Sequence, residues 1–361
     1  MQKKLIALAI AGLVSAPAFA QSNVTIYGVA DAYVGIGKHG ENDFRGVGSG
    51  ALSGSRVGFR GTEDLGNGLK AVFVLEQGFS IDNGSEMGSG YQRQALVGLG
   101  GSFGTVSLGR QYAPGYFFNY DALSGAAISP QSILSVGAGM TITPNTPARW
   151  SNSVAYTGSF SGLTARAIYS TGADYTEGPF GPRPAIETAG KPSEDDAYGL
   201  GLDYSNGPLK VGGVYQVIKN DYAVAGLDDK QKEWGLGTSY DFGVVSLHAS
   251  YQSVDNIYGA KDFDADLWQV GLIVPVGAAG NVHLAYGEVE FDQPGRDPEV
   301  KSYTLAYTHS LSKRTTAYAA FNRTDNDNGL TMGLVGYGHK AGSTFGGDNA
   351  DLFAIGVRHT F

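Results

Sequence analysis

The 361-residue sequence contains no cysteine, so an exported form of it would not depend on disulfide bonds. Basic residues are also scarce, because 25 Lys and Arg stand against 34 Asp and Glu, and this balance argues against a nucleic-acid partner. The six histidines show no HExxH or paired spacing, so the sequence predicts no zinc site. Beyond the first twenty residues, no hydrophobic run is long enough for a transmembrane helix.

The amino terminus has the three parts of a secretory signal peptide. Lys3 and Lys4 precede the apolar run Leu5 to Val14, and Ala18-Phe19-Ala20 forms an A-x-A cleavage pattern. Residues 1–20 are therefore expected to be a cleaved signal and residues 21–361 the mature chain. Cleavage removes two of the 25 basic residues, which leaves 23 against 34 acidic ones and a net charge of −11.

The carboxyl terminus is a strand with a period of two, with Phe353, Ile355, Val357, His359 and Phe361 on one face. A chain that ends inside a strand needs a partner for it, and in lipid every backbone N–H and C=O must be bonded. We therefore expect this strand to pair with the first mature strand and close a barrel. A mean hydropathy of −0.12 fits this fold, because only alternate residues of a barrel face lipid.

Short and long connections alternate along the chain. Seven tight turns and eight longer segments predict an all-β fold of sixteen antiparallel strands, with both termini on the short-turn side. A transmembrane barrel of this size is too wide for side chains to fill, so an aqueous channel follows. The longest connection, 112–148, carries five aromatic residues and is expected to fold into the barrel and narrow it. The alternative is an external loop packed on its neighbours.

Four segments of the sequence resemble the Gram-negative general-diffusion porins: SRVGFRGTEDLGNGLKAVFVLEQGF from Ser55, RQALVGLGGSFGTVSLGRQ from Arg93, LSKRT from Leu311 and the terminal GVRHTF. The resemblance covers the whole chain. It implies an outer-membrane homotrimer of sixteen-stranded barrels, each with an inward-folded third loop. It also implies that Phe361 is the assembly signal that the barrel-assembly machinery reads. In such porins, basic residues on the barrel wall face acidic residues on the inward loop.

Strand parity indicates which arginines face the channel. Arg56 and Arg60 alternate with apolar residues and should point inward, since an arginine facing lipid at the bilayer midplane costs about 2–4 kcal/mol. Arg149 alternates with Trp150 and is also expected to face inward. Arg93 occupies the matching basic position on the fourth strand, although its face-mates are apolar. We predict a constriction formed by these four arginines and Asp121 of the third loop.

Asp121 is the single acid between residues 112 and 148, so the constriction should carry a net positive charge and prefer anions. Arg110 shares parity with Val106 and Leu108, which places it on the outward face. It resembles an arginine at the porin trimer interface, where Glu86 of a neighbour would meet it. A plain surface ion pair is the alternative for Arg110.

The sequence therefore predicts passive diffusion of small hydrophilic solutes and inorganic ions across the outer membrane, with outer-membrane lipid and two further copies of the chain as partners. A substrate-specific channel is the alternative, because the third loop is aromatic. Ser246 and His248 share an inward face, but lipid hydrolysis would need an outward-facing nucleophile. We expect neither an enzymatic activity nor a cofactor. A surface adhesin is a third possibility, but it does not account for inward-facing arginines.

Overall fold

The computed structural model describes residues 23–88, 90–172, 196–219, 230–327, 329–333 and 347–361. The predicted signal peptide, residues 1–20, and the predicted mature start at Gln21 lie outside the described residues. The described chain consists almost entirely of antiparallel strands. No helix in it is long and apolar enough to cross a membrane.

The described residues contain eighteen strand segments. They are β1 (Asn23–His39), β2 (Asn42–Ser49), β3 (Arg56–Gly66), β4 (Leu69–Phe79), β5 (Glu86–Met87), β6 (Gln94–Gly101), β7 (Gly104–Tyr112), β8 (Arg149–Phe160), β9 (Leu163–Gly172), β10 (Ala197–Asn206), β11 (Leu209–Ile218), β12 (Gln231–Asp241), β13 (Ser246–Asp255), β14 (Asp264–Val276), β15 (Gly280–Asp292), β16 (Glu299–Ser310), β17 (Thr315–Asn326) and β18 (Ala350–Thr360).

These segments form sixteen barrel strands, as the count of turns predicted. β2 and β3 are one strand interrupted at residues 50–55, because β2 pairs with the second half of β1 and β3 with the first half. β5 and β6 are likewise one strand, since both pair with β4. Apart from β1 and β18, all other neighbours in the sheet are consecutive antiparallel strands.

The barrel closes between the two ends of the chain. β1 pairs with β18 from Val29 opposite Thr360 to His39 opposite Ala350. Beyond the strand, Gly28 and Phe361 exchange both backbone hydrogen bonds, each 3.1 Å long. The sheet therefore has no free edge at this seam, which is what a bilayer requires of a β structure.

The two faces of the sheet differ in composition. One face, called the apolar face here, carries the exposed large hydrophobic residues, such as Ile26, Leu200 and Leu236, whose exposed fractions are 59–61%. The other, called the polar face, carries the alternate residues, such as Asp31, Glu76 and Gln252. A low mean hydropathy is therefore compatible with an apolar exterior.

The interruption at residues 50–55 depends on Asp31 of β1. Its buried carboxylate accepts hydrogen bonds from Leu52 N at 2.9 Å, Ser53 N at 2.7 Å and Tyr318 Oη at 2.6 Å. These bonds replace the ladder bonds that the chain loses when it leaves the sheet. The segment is thereby held beside the start of β3, where Arg56 follows.

The connection between β7 and β8 packs on the polar face. It contains a 3-10 helix, Pro114–Phe117, and the helix α1, Pro130–Gly137, which Ser129 caps by accepting a hydrogen bond from Ser132 N at 3.1 Å. Wall residues of several strands bond to it. Gln269 Nε2 donates to Tyr120 O at 2.8 Å, Thr304 Oγ1 to Ile128 O at 2.6 Å and Gln252 Nε2 to Ile142 O at 2.8 Å.

Gly28 is predicted to be essential to the seam. A Cβ at this position would lie 2.5 Å from Arg56 O and 2.4 Å from the Phe361 ring. We expect Gly28→Ala to lower the free energy of unfolding by about 1–3 kcal/mol through overpacking. The measurement is the urea midpoint in detergent micelles, followed by tryptophan fluorescence. Gly46→Ala is the control, because its Cβ would come no closer than 3.4 Å to Phe44, and equal midpoints would contradict the prediction.

Candidate functional site

The centre of the site is the buried carboxylate of Glu76 on β4. Arg93 Nε approaches Glu76 Oε1 at 2.7 Å, and Arg56 Nε approaches Glu76 Oε2 at 3.6 Å. Two phenols also donate to this carboxylate, Tyr112 Oη at 2.7 Å and Tyr27 Oη at 2.9 Å. One acid therefore orients two arginines and two tyrosines.

Arg56 and Arg60 lie on the polar face of β3, as parity predicts. Both pair with odd-numbered β1 residues, Val29 and Thr25, which face away from the exposed Val24 and Ile26. Arg56 Nη1 also donates to Ser53 Oγ at 3.1 Å and to Gly54 O at 2.9 Å, so the interruption at 50–55 fixes this guanidinium. The Arg60 guanidinium lies 5.0 Å from the centre of the Tyr27 ring.

Arg93 joins the cluster although strict alternation would place it on the apolar face with Val97, which is 57% exposed. Arg93 lies just before β6, where the chain has left regular strand geometry. Its backbone N–H bonds to Glu76 O, and its side chain turns to the Glu76 carboxylate. The interruption between β5 and β6 thus sets its direction.

Arg149 is also in the cluster, but the reason given by the sequence is wrong. Trp150 was expected to face outward, whereas it is 1% exposed and packs with Ile168 and Ile218. The register between β7 and β8 shifts between Gly109 and Gln111, and this irregularity breaks the alternation. The Arg149 guanidinium lies 5.1 Å from the centre of the Tyr112 ring and 5.3 Å from that of Tyr116.

The aromatic start of the connection stacks beside these arginines. The Tyr112 and Tyr116 rings are parallel, with centroids 3.5 Å apart. Burial by itself would raise the pKa of the Tyr116 phenol, but the positive charges of Arg149, Arg93 and Arg56 lower it below its usual value. The lowered pKa is the effect of a positive potential at this end of the connection.

A second charged group follows along the wall. Arg166 of β9 pairs with Asp203 of β10, and the Tyr120 phenol donates to Asp203 Oδ1 at 2.7 Å. The Arg166 guanidinium also lies 4.2 Å from the centre of the Phe117 ring. This pair is internally neutral, so the positive excess belongs to the first cluster, in which Arg56 and Arg93 contact Glu76 while Arg60 and Arg149 lie over the rings of Tyr27 and Tyr112.

Asp121 does not provide the acid that the sequence assigned to the constriction. Its side chain is 1% exposed, and its carboxylate accepts hydrogen bonds from Leu123 N at 2.5 Å, Gly125 N at 2.8 Å and Ser129 Oγ at 3.2 Å. Burial raises the pKa of Asp121. Among the described residues it forms no ion pair, because its oxygens serve the turn that precedes α1.

Sequence reasoning missed Glu76, although a signal was present. Glu76 is an acid between apolar residues of a strand, in the segment LKAVFVLEQGF. A buried acid of this kind destabilises the fold unless a cation pairs with it. Glu76 lies two positions from Gly78 on the same strand, so both face the same side of the sheet. Because Gly78 lies opposite Arg56, that side is the polar face.

The remaining predicted residues lie away from the cluster. Glu86 is exposed on β5, and Arg110 of β7 donates to Gln92 O and, at 2.8 Å, to Ser151 Oγ. Phe361 is 45% exposed at the seam. Elsewhere, Glu288, Glu290 and Glu299 lie close enough together to hold a cation, but Lys301 Nζ already lies 2.5 Å from Glu299 Oε1.

Comparison with known proteins gives consistent matches. The family model described as Gram-negative porin matches residues 7–329. Outer membrane porin protein 32 of Delftia acidovorans is 35% identical over the full length of both chains. The solved structure of an anion-selective porin from Comamonas acidovorans covers 94% of this chain and 100% of its own, with 32% identity and a TM-score of 0.79.

A more distant likeness concerns the fold alone. A trimer form of OmpT, an outer membrane protein of Vibrio cholerae, is 17% identical, with a TM-score of 0.62. It covers 94% of this chain and 99% of its own. Barrels of this fold therefore include a trimeric one.

The Glu76 carboxylate is predicted to stabilise the cluster. Glu76→Gln removes the carboxylate that lies 2.7 Å from Nε of Arg93, whose side chain is 5% exposed, so we expect a loss of about 3 kcal/mol in the free energy of unfolding. Urea unfolding in detergent micelles measures it. The same substitution at Glu63, an exposed acid near the end of β3, should leave the midpoint unchanged. Similar midpoints for the two variants would show that the arginines do not depend on this acid.

Proposed function

The chain belongs to the Gram-negative porin family, and we propose that it forms a water-filled, anion-preferring channel through which small hydrophilic solutes and ions diffuse passively across the outer membrane. The observation that carries the anion preference is the charge of the site. Arg56 and Arg93 share the carboxylate of Glu76, and Arg60 and Arg149 lie over Tyr27 and Tyr112, the two tyrosines that donate to it. A positive excess in a narrow, low-dielectric passage raises the local concentration of anions.

The polar face of the closed sheet is proposed to surround the channel, and the connection 113–148 to narrow it. Hydrogen bonds from Gln252, Gln269 and Thr304 support this placement, since all three wall residues lie on the polar face. Phe118 and Tyr120 are 3% and 5% exposed, as expected if the connection buries part of its aromatic surface against the wall. A cavity of about 280 Å³ remains between the connection and Arg56, Arg93 and Arg149.

We propose no catalytic reaction and no cofactor. The GxSxG match at residues 100–104 falls in the tight turn between β6 and β7. Hydrolase nucleophiles with this motif stand instead at a turn from a strand into a helix.

The signal peptide is proposed to end at Ala20, and Phe361 to be the residue that the barrel-assembly machinery recognises.

A homotrimer is proposed from the composition of the apolar face. In the described strands, the exposed tyrosines and tryptophans all lie between β9 and β16. The exposed apolar residues of β1, β2, β6 and β7 are Val, Ile and Leu, with side chains such as Val34 and Val97. Because Tyr and Trp mark the membrane–water interface, the sector without them fits contact with another copy of the chain. Glu86 of β5 and Arg110 of β7 lie in this sector.

Two substitutions are predicted to shift ion selectivity in opposite directions. A unit charge about 7 Å from the ion path contributes about 0.6 kcal/mol in water, or about threefold in local ion concentration. Because local chloride falls and local potassium rises by this factor, Arg60→Gln should lower the chloride-to-potassium permeability ratio about sevenfold, and Glu76→Gln should raise it. The measurement is the reversal potential of reconstituted channels in a KCl gradient. Arg323→Gln, which pairs with Asp325 and Asp351 on the apolar face, is the control. Cation selectivity of the unmodified channel would refute the proposal.

The trimer proposal is tested by reversing charges. Glu86→Lys should reduce the fraction of trimer in detergent by placing two cations at one contact, and the double variant with Arg110→Glu should restore it. Sedimentation in detergent gives the mass of each species. A monomeric unmodified protein would exclude the trimer. Unchanged trimer in the single variant would exclude only this pair.

A further inference from the structure

The cavity beside the arginines has two chemically different walls. The residues that line it include three arginines, Arg56, Arg93 and Arg149, and two aromatic residues, Tyr116 and Phe117. Its volume of about 280 Å³ lies just below the range of pockets that enclose drug-sized ligands. The space therefore suits a solute built on a single ring.

Phe117 provides an apolar surface that the protein itself leaves uncovered. It is 38% exposed, whereas Phe118 and Tyr120 of the same connection are almost fully buried. Its ring meets Tyr116 edge-to-face at 5.4 Å, and Arg166 lies over it at 4.2 Å. A solute that covers an apolar ring in an aqueous passage lowers the free energy, because the contact removes apolar surface from water.

Arg149 differs from the other two arginines of this cavity, because no acid or hydrogen-bond acceptor among the described residues meets its guanidinium. Arg93 is neutralised by Glu76, and Arg56 donates to Ser53 and Gly54. Among the described residues, Arg149 contacts aromatic rings but forms no hydrogen bond or ion pair, and its Nε is buried without a partner. A planar guanidinium in this state matches a carboxylate, which can accept two parallel hydrogen bonds.

We infer that this cavity transiently binds aromatic carboxylates of the benzoate class, with the carboxylate on Arg149 and the ring on Phe117. The inference rests on the proposed channel, since the solute must reach the cavity through it. Two aromatic rings in contact attract each other more strongly than their buried area alone predicts. An aromatic carboxylate should therefore bind about two- to tenfold more tightly than one with a saturated ring of similar size. Phe117 is then a residue that determines specificity among anions.

The test compares benzoate with cyclohexanecarboxylate, which share charge and ring size but differ in aromaticity. Each is added to reconstituted channels that carry a chloride current, and the concentration that halves the current is measured. We expect benzoate to block at a concentration about two- to tenfold lower. Phe117→Leu should remove this difference, and Phe117→Tyr should preserve it. Phe103→Leu is the control, because Phe103 is an exposed ring in the tight turn between β6 and β7.

Arg149→Gln should raise the half-blocking concentration of both anions, because it removes the shared carboxylate contact. Equal blocking by the two anions in a channel that conducts chloride would overturn the inference and leave the proposed function standing. A difference that survives in Phe117→Leu would also overturn it. An unmodified protein that conducts no chloride would overturn the proposed function and this inference together.

Discussion

The need to bond every backbone N–H and C=O in hydrocarbon is the constraint on which the rest of the structure depends. It makes the last strand pair with the first, from Val29 opposite Thr360 to the paired hydrogen bonds of Gly28 and Phe361. Once the sheet is closed, alternate residues must face two different media. The apolar face takes the exposed Val, Ile, Leu and aromatic side chains, and the polar face takes Glu76, Arg56 and Arg60.

The polar face is organised around acids that hold cations or backbone in place. Glu76 joins Arg56, Arg93, Tyr27 and Tyr112 in one buried network, and Asp31 holds the interrupted segment that fixes Arg56 from the other side. Because Glu76 is one acid shared by two arginines, the cluster stays positive while its geometry is fixed. The same few residues therefore fix the positions of the arginine side chains and produce the positive electrostatic potential of the cluster.

Strand alternation predicts the side-chain direction of only some residues of the site. Arg56 and Arg60 lie in a regular strand, and parity placed both correctly. Arg93 precedes β6, and Arg149 lies beside the register shift between β7 and β8. Strand alternation therefore does not predict the direction of either side chain. Trp150 is buried where alternation would expose it. Asp121 was assigned to the arginines because it is the single acid of its connection, but nearby backbone N–H groups compete for its oxygens more effectively than a distant guanidinium does.

By itself, the sequence determined the barrel, its sixteen strands, its seam and the two arginines of regular strands, because these follow from a period of two and from hydrogen bonds between strands that are neighbours in the chain. Only the tertiary structure decided that Glu76 is the acid of the cluster, that Asp121 stabilises its own turn, and that Arg93 and Arg149 approach Tyr112 from different strands. The bonds of Asp121 are local, whereas the contacts of Glu76, Arg93 and Arg149 join residues distant in sequence at points where the strands are interrupted. Side-chain direction there depends on local backbone geometry and on competing partners, which no periodic pattern records.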